Sequence, residues 1–310
     1  MNYRPIFTAT VQTVGLFAAG FIIPVVGQVL ALITPVPLIL VSLRNGRKEG
    51  FVALGASAAL IAVLGGWQAA AILLFTFGLM SVGIAEGMRR QMKPEQVSLL
   101  GGLLPVAVIS LVVAFYFFRA GKSPVGAIED YLRTSLAEAA ALYTKMGLND
   151  MAATVTSVSD TFVHYLVRLI PAITIATSVT QAATCYSFSR AVIIRKDPAS
   201  PIASQPSLSL WHAPDTWVWG LIAALALLVV PNGTSRLIGW NLAILFAVVY
   251  LAQGIAIVEF YLRKAHIKPF VRGLILALIL AMPSLVFAIA LGVVDIWADV
   301  RKIRGPVVKA

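Results

Sequence analysis

Apolar residues run along this chain in long blocks divided by short polar or basic links. Nine blocks stand out, at roughly 6–24, 26–43, 49–66, 67–86, 97–118, 161–189, 216–231, 237–262 and 272–294. Most approach the roughly 20 residues that a helix needs to cross hydrocarbon. Lipid offers no partner to an open strand edge, so each block is read as a helix. The pattern predicts an all-α fold: a polytopic transmembrane helical bundle of about nine spans, with eight as the fallback. The links at 24–27 and 65–67 are short enough to demand antiparallel hairpins. Trp67, Tyr116, Trp217, Trp219 and Trp297 fall near block ends, where aromatic rings favour the headgroup zone.

Two stretches break the pattern. In 119–160, Ile128, Leu132, Leu136, Ala139, Tyr143 and Met146 recur at helical spacing. Glu129, Asp130, Arg133, Glu138 and Lys145 take the other face. Ser123-Pro124 suits a helix start and Gly147 a stop. An amphipathic helix is expected at 124–147, on the outer side, resting on the bundle or covering a cavity mouth. The second stretch, 195–215, is rich in Pro and Ser, including Pro198, Pro201, Pro206 and Ser207. It reads as a cytoplasmic linker. Three parts result: a six-helix membrane block at 1–194, the linker, and a C-terminal membrane block of two to three helices at 216–310.

Composition agrees. Of 310 residues, 59% are hydrophobic and 12% charged, with mean hydropathy +0.90. Soluble domains carry about 25% charged residues. The net charge of +11 would suggest nucleic acid in a soluble chain, but here the cations sit between apolar blocks. They set topology and meet anionic headgroups, and no nucleic-acid partner is expected. With the N-terminus in the cytoplasm, the inner links hold Arg4, Arg44, Arg47, Lys48, Arg89, Arg90, Lys93, Arg190, Arg195, Lys196, Arg263, Lys264, Lys268 and Arg272. The outer short links hold only Arg236. Nine spans leave Arg301, Lys302, Arg304 and Lys309 outside. Either the tail is an exception to the charge bias, or one block does not cross, the best candidate being the last, broken by Pro283 and re-entrant where protein shields it. The first block is followed at once by another, so it reads as an uncleaved helix.

The chemistry-bearing motifs are few. Gly121-Lys122-Ser123 matches the end of a phosphate-binding loop, but Tyr116 stands where the first glycine belongs. No in-chain ATPase is expected. His164, His212 and His266 lie in separate regions, and the single cysteine, Cys185, lies inside an apolar block. No metal site, cofactor or disulfide follows. Gly55-Ala56-Ser57-Ala58-Ala59 lacks the last glycine of a nucleophile elbow. No enzymatic activity is expected.

Polar groups inside the spans carry the remaining signal, because lipid penalises them. Glu86 precedes Arg89 and Arg90, and Glu259 precedes Arg263 by four residues. Both read as boundary ion pairs. His164 and Arg168, four apart, share a face near the outer end of the sixth block. Thr174, Thr177 and Gln181 continue along related faces. These five are the candidate ligand-binding residues, with Arg168 available to an anionic group. The same pattern also fits a snorkelling Arg168 and interhelical hydrogen bonds. Gly15 with Ala19, and Gly83 with Gly87, give small residues at spacing four. They serve either internal packing or docking of a partner helix.

Certain stretches resemble a known family. They are Ile33-Thr34-Pro35-Val36-Pro37-Leu38, Leu43-Arg44-Asn45-Gly46-Arg47, Arg89-Arg90-Gln91, Tyr250-Leu251-Ala252-Gln253-Gly254, and the closing Leu291-Gly292-Val293-Val294-Asp295-Ile296-Trp297. Together they resemble the YybS-like bacterial membrane proteins, a family defined by a domain of unknown function. That family is distantly similar to the substrate-capture subunits of energy-coupling-factor vitamin transporters. The resemblance implies a six-helix capture unit that binds a small molecule near the outer face. It implies docking on transmembrane and ATPase subunits through small residues of the first helix, where Gly15 and Ala19 match. Residues 216–310 have no counterpart in those subunits. The expected function is a substrate-binding subunit of a small-molecule transporter in the bacterial plasma membrane, multi-pass, N-terminus inside. The alternative is a non-transporting scaffold that binds other membrane proteins.

Overall fold

The computed structural model describes residues 3–23, 26–204, 208–281 and 285–302. Pro206 and Ser207 of the linker, Pro283, and Arg304 and Lys309 of the tail lie outside the described residues. Twelve α-helices follow one another, and no strand occurs among the described residues. They are α1 (Tyr3–Ile22), α2 (Val26–Ala31), α3 (Val36–Asn45), α4 (Arg47–Ile72), α5 (Leu79–Arg89), α6 (Pro94–Ala120), α7 (Pro124–Lys145), α8 (Asn149–Lys196), α9 (Trp217–Val229), α10 (Gly233–Lys264), α11 (Pro269–Ala281) and α12 (Leu285–Ala298). Among the described residues, six helical stretches are long and apolar enough to cross a membrane. The chain is therefore an all-α membrane bundle, as the apolar pattern predicts.

One of those six, Arg47–Arg89, is a folded-back pair. Gly66 breaks it with φ 85° and ψ 171°, a backbone that only glycine adopts without strain. Contacts on either side mirror each other. A Cβ on Gly78 would lie 2.8 Å from a Leu54 methyl, and Arg47 reaches Glu86. The expected hairpin at 65–67 is present. A π-helical turn at Leu73–Gly78 then leads into α5.

One expected block is divided and another extended. The second, 26–43, breaks into α2 and α3 around Pro35. Of the ninth, α11 and α12 are described, with 13 and 14 residues, on either side of residues 282–284. The sixth block is longer than expected. α8 has 48 residues, a rod of about 72 Å, so its first turns project beyond any bilayer. The amphipathic helix α7 lies against that projection.

Lipid tails give helices no hydrophobic reason to associate, so close contact carries the packing. Gly102 abuts the Val179 backbone, joining α6 to α8. A Cβ on Gly254 would sit 1.9 Å from the Ala288 carbonyl oxygen, and one on Gly292 2.0 Å from that of Tyr250. Backbones of α10 and α12 therefore touch. The largest buried cluster gathers Ile39 of α3, Met80, Ile84 and Met88 of α5, Val97 of α6, and Cys185 and Tyr186 of α8. Smaller clusters join α1 to α3 and α4, and the linker to α9, α10 and α12.

The linker is not a free spacer over its described part. Ala213 is buried, and its N–H donates to Gln253 Oε1 at 3.1 Å. Arg301, read in the sequence as a tail cation, is buried. α12 ends at Ala298, and the chain turns so that Arg301 Nη2 meets Asp295 Oδ2 at 3.0 Å. Its Nη1 donates to the Ser209 and Trp211 carbonyls at 2.8 and 2.9 Å. Gln253 Nε2 donates to the same Asp295 oxygen at 3.0 Å. A charged residue is tolerated in the interior here because three oxygens meet its two terminal nitrogens, although its Nε is buried with no partner among the described residues.

Candidate functional site around Arg168

Arg168 sits on α8 where α7 crosses it. α7 starts sharply: Pro124 presets the first turn, and the Ser123 hydroxyl accepts from Gly126 N–H at 3.4 Å. It ends at the turn 146–148, where Gly147 adopts φ 76°. The chain then reverses into α8, making an antiparallel helical hairpin. Within the hairpin, Glu129 reaches Arg168 and Arg133 reaches Asp160. These two ion pairs come from the polar face legible in the sequence.

The Arg168 guanidinium is already engaged. Its Nη1 donates to Glu129 Oε1 at 3.2 Å and to the His164 carbonyl at 2.8 Å, and lies 3.0 Å from His164 Nδ1. From α10, Asn241 Nδ2 donates to the Arg168 carbonyl at 3.2 Å. His164, Arg168, Glu129 and Asn241 thus form one polar junction between three helices. A carboxylate occupies the place expected for an anionic ligand group.

The remaining candidates do not join that junction. Thr174 and Thr177 are exposed, and the Thr177 hydroxyl donates to the Ile173 carbonyl at 2.8 Å within its own helix. Gln181 lies 13 residues beyond Arg168, about 20 Å along the axis. Its Nε2 donates to the Leu32 carbonyl at 3.2 Å, and Cys185 Sγ reaches the same oxygen. Leu32 lies where α2 gives way to α3, so these two side chains answer backbone left open by that break. The five residues are one helix long, not one pocket wide.

The small-residue pairs part company too. Gly83 and Gly87 are buried against α6, where Cβ atoms would meet Gly101 at 3.1 Å and Val97 at 3.2 Å. Their surface is used inside the chain, which corrects the docking reading for this pair. Ala19 lies against α2, its carbonyl under Gly27. Gly15 alone is open, with nothing within 4 Å of a Cβ.

Sequence reasoning placed Glu129 on a polar face without its partner. Thirty-nine residues separate it from Arg168, and no local spacing encodes that meeting. Among the described residues, no group of three His, Cys, Asp or Glu side chains could hold a metal ion. A shallow hollow of about 300 Å³ lies at the hairpin tip, lined by Tyr143, Asp150, Met151, Thr154 and Val155.

No curated protein and no solved structure matches the chain. A family model does match, over residues 11–296. Its span takes in α2 to α11 whole, most of α1 and α12, and Asp295 near its end. With the bundle it covers, this match decides the family: the chain belongs to the one described as predicted membrane protein (DUF2232).

Proposed function

We propose that this protein is the substrate-binding membrane subunit of a small-molecule transporter, with no ATPase of its own. One observation carries the reading: Glu129 of α7 occupies Arg168 of α8, under a helix with no fully buried residue. Its two ion pairs are partly exposed, and such pairs contribute about 0–1 kcal/mol each. An incoming carboxylate or phosphate would exchange with Glu129 at the guanidinium, and α7 would move as a cover. Bidentate recognition of such anions suits arginine.

In this reading the α7–α8 hairpin faces outward and the N-terminus lies in the bacterial cytoplasm. ATP hydrolysis would come from a separate subunit, reached through a transmembrane partner docked at the open Gly15 face of α1. The resemblance read from the sequence, to substrate-capture subunits of energy-coupling-factor transporters, is in keeping with this reading. An enzymatic role forms no part of it.

Binding tests the proposal. Protein in lipid nanodiscs is challenged with a panel of carboxylate- and phosphate-bearing small molecules, read by thermal shift and calorimetry. Glu129→Gln is expected to tighten binding of the captured anion by removing its competitor. Arg168→Gln should abolish it with expression unchanged. No captured anion across the panel, or capture indifferent to Arg168→Gln, overturns the reading. The scaffold alternative draws on the same open Gly15. A stable crosslinked membrane partner at Gly15→Cys, with no ligand bound, would favour it.

A further inference from the structure

A second charged group lies at the other end of the α6 helix from the α7–α8 hairpin. Glu86 of α5 sits among three arginines. Arg90 Nε donates to it at 2.7 Å, Arg47 Nη2 at 2.8 Å and Arg89 Nη1 at 3.1 Å. Arg89 also donates to the Ser42 carbonyl at 3.0 Å. One carboxylate therefore faces three guanidiniums, and two positive charges remain over. Each guanidinium has five N–H donors, far more than Glu86 and Ser42 accept.

These residues line a cleft of about 380 Å³ between α3, α4 and α5. Its other wall is apolar, formed by Leu38, Phe51, Leu54 and Val82. The side chains of Arg47 and Arg90 are 60% and 68% exposed, so their free donors point to the open side. Phe51 is 57% exposed on an apolar helix of membrane-spanning length. Arg44 Nη2 reaches the Val192 carbonyl at 3.3 Å, which sets the basic end of α8, Arg195 and Lys196, at the same level.

The cleft thus has a cationic end, an apolar wall and an open side. A free phosphate would use only the first. A molecule with phosphate at one end and hydrocarbon at the other uses both. We propose that this cleft binds an anionic phospholipid: its phosphate meets Arg47 and Arg90, and an acyl chain lies along Phe51, Leu54 and Val82. Glu86 is the positioning residue, holding the three guanidiniums in one fan. This site is separate from the Arg168 junction, and neither depends on the other.

Native mass spectrometry of the full chain, released from micelles doped with phosphatidylglycerol or phosphatidylcholine, tests the proposal. Phosphatidylglycerol is expected to be retained over phosphatidylcholine. Arg47→Gln with Arg90→Gln should lower that retention about tenfold or more, as the phosphate loses two direct charge-assisted guanidinium contacts. Arg195→Gln with Lys196→Gln, at the same level but outside the cleft, should leave it within about twofold. Phe51→Gln keeps every arginine and should lower retention by removing apolar wall, so the idea stays testable if the double variant misfolds. Displacement of the lipid by millimolar glycerol 3-phosphate would assign the cleft to soluble phosphates and overturn the lipid reading. Equal retention of both lipids, or no change in either the arginine or the Phe51 variant, would overturn it as well.

Discussion

Asp295→Ala should be among the most damaging single substitutions in this chain. The Asp295 and Arg301 side chains are 3% and 0% exposed. Asp295 accepts three bonds: from Gln253 Nε2, from Arg301 Nη2, and from Val300 N–H at 2.8 Å. Truncation leaves a guanidinium buried without its counter-charge. Breaking such a pair from one side costs about 3–5 kcal/mol. The Ser209 and Trp211 carbonyls still solvate Arg301, which favours the lower half of that range. At about 2 °C per kcal/mol for a large chain, the midpoint should fall by roughly 6–8 °C. Thermal unfolding of detergent-purified protein by circular dichroism reads this directly. Asp295→Leu combined with Arg301→Met should recover much of the loss, because a buried pair is often matched by apolar residues of similar volume. A drop below about 1 °C for Asp295→Ala, or a double variant worse than the sum of the singles, would refute the claim that this pair clamps linker, α10 and α12 together.

The close helix contacts make a second prediction. Gly254→Ala and Gly292→Ala place a methyl about 2 Å from a backbone oxygen and should each cost about 1–3 kcal/mol or more, whereas Gly15→Ala, with open space around it, should be neutral by the same melting assay. Cys185 is fully buried, so maleimide should label it only upon unfolding, and rapid labelling of the native protein would contradict the α3–α8 packing. Finally, α6 separates two ends of the bundle. Lys93→Cys and Lys145→Cys in a Cys185→Ala background should therefore react with a membrane-impermeant reagent from opposite sides of oriented vesicles, and reaction from one side would remove α6 as a span.

Much of the architecture is written in local pattern. Apolar block length predicts the spanning helices, because hydrocarbon thickness is a fixed ruler. Gly66 marks the hairpin, since it alone tolerates the backbone needed there. Ser123-Pro124 and Gly147 mark the ends of α7 within a residue or two. The family is legible in motifs scattered from Ile33 to Trp297.

What local pattern leaves open is which distant groups meet. Arg168 is visible in the sequence as a charge on an apolar helix, but only the α7–α8 hairpin brings Glu129 to it. Gly83 and Gly87 have the same spacing as Gly15 and Ala19, yet α6 covers the first pair and nothing covers Gly15. Arg301 reads as one more tail cation until α12 stops and the chain turns it under Asp295. Glu86 announces Arg89 and Arg90 three and four residues on, but Arg47 arrives from 39 residues away through the bend at Gly66. The physical reason is the same throughout. Periodicity and spacing report a single helix against a solvent, whereas the pairing of charges and small residues is decided by packing between helices, over separations no local signal spans.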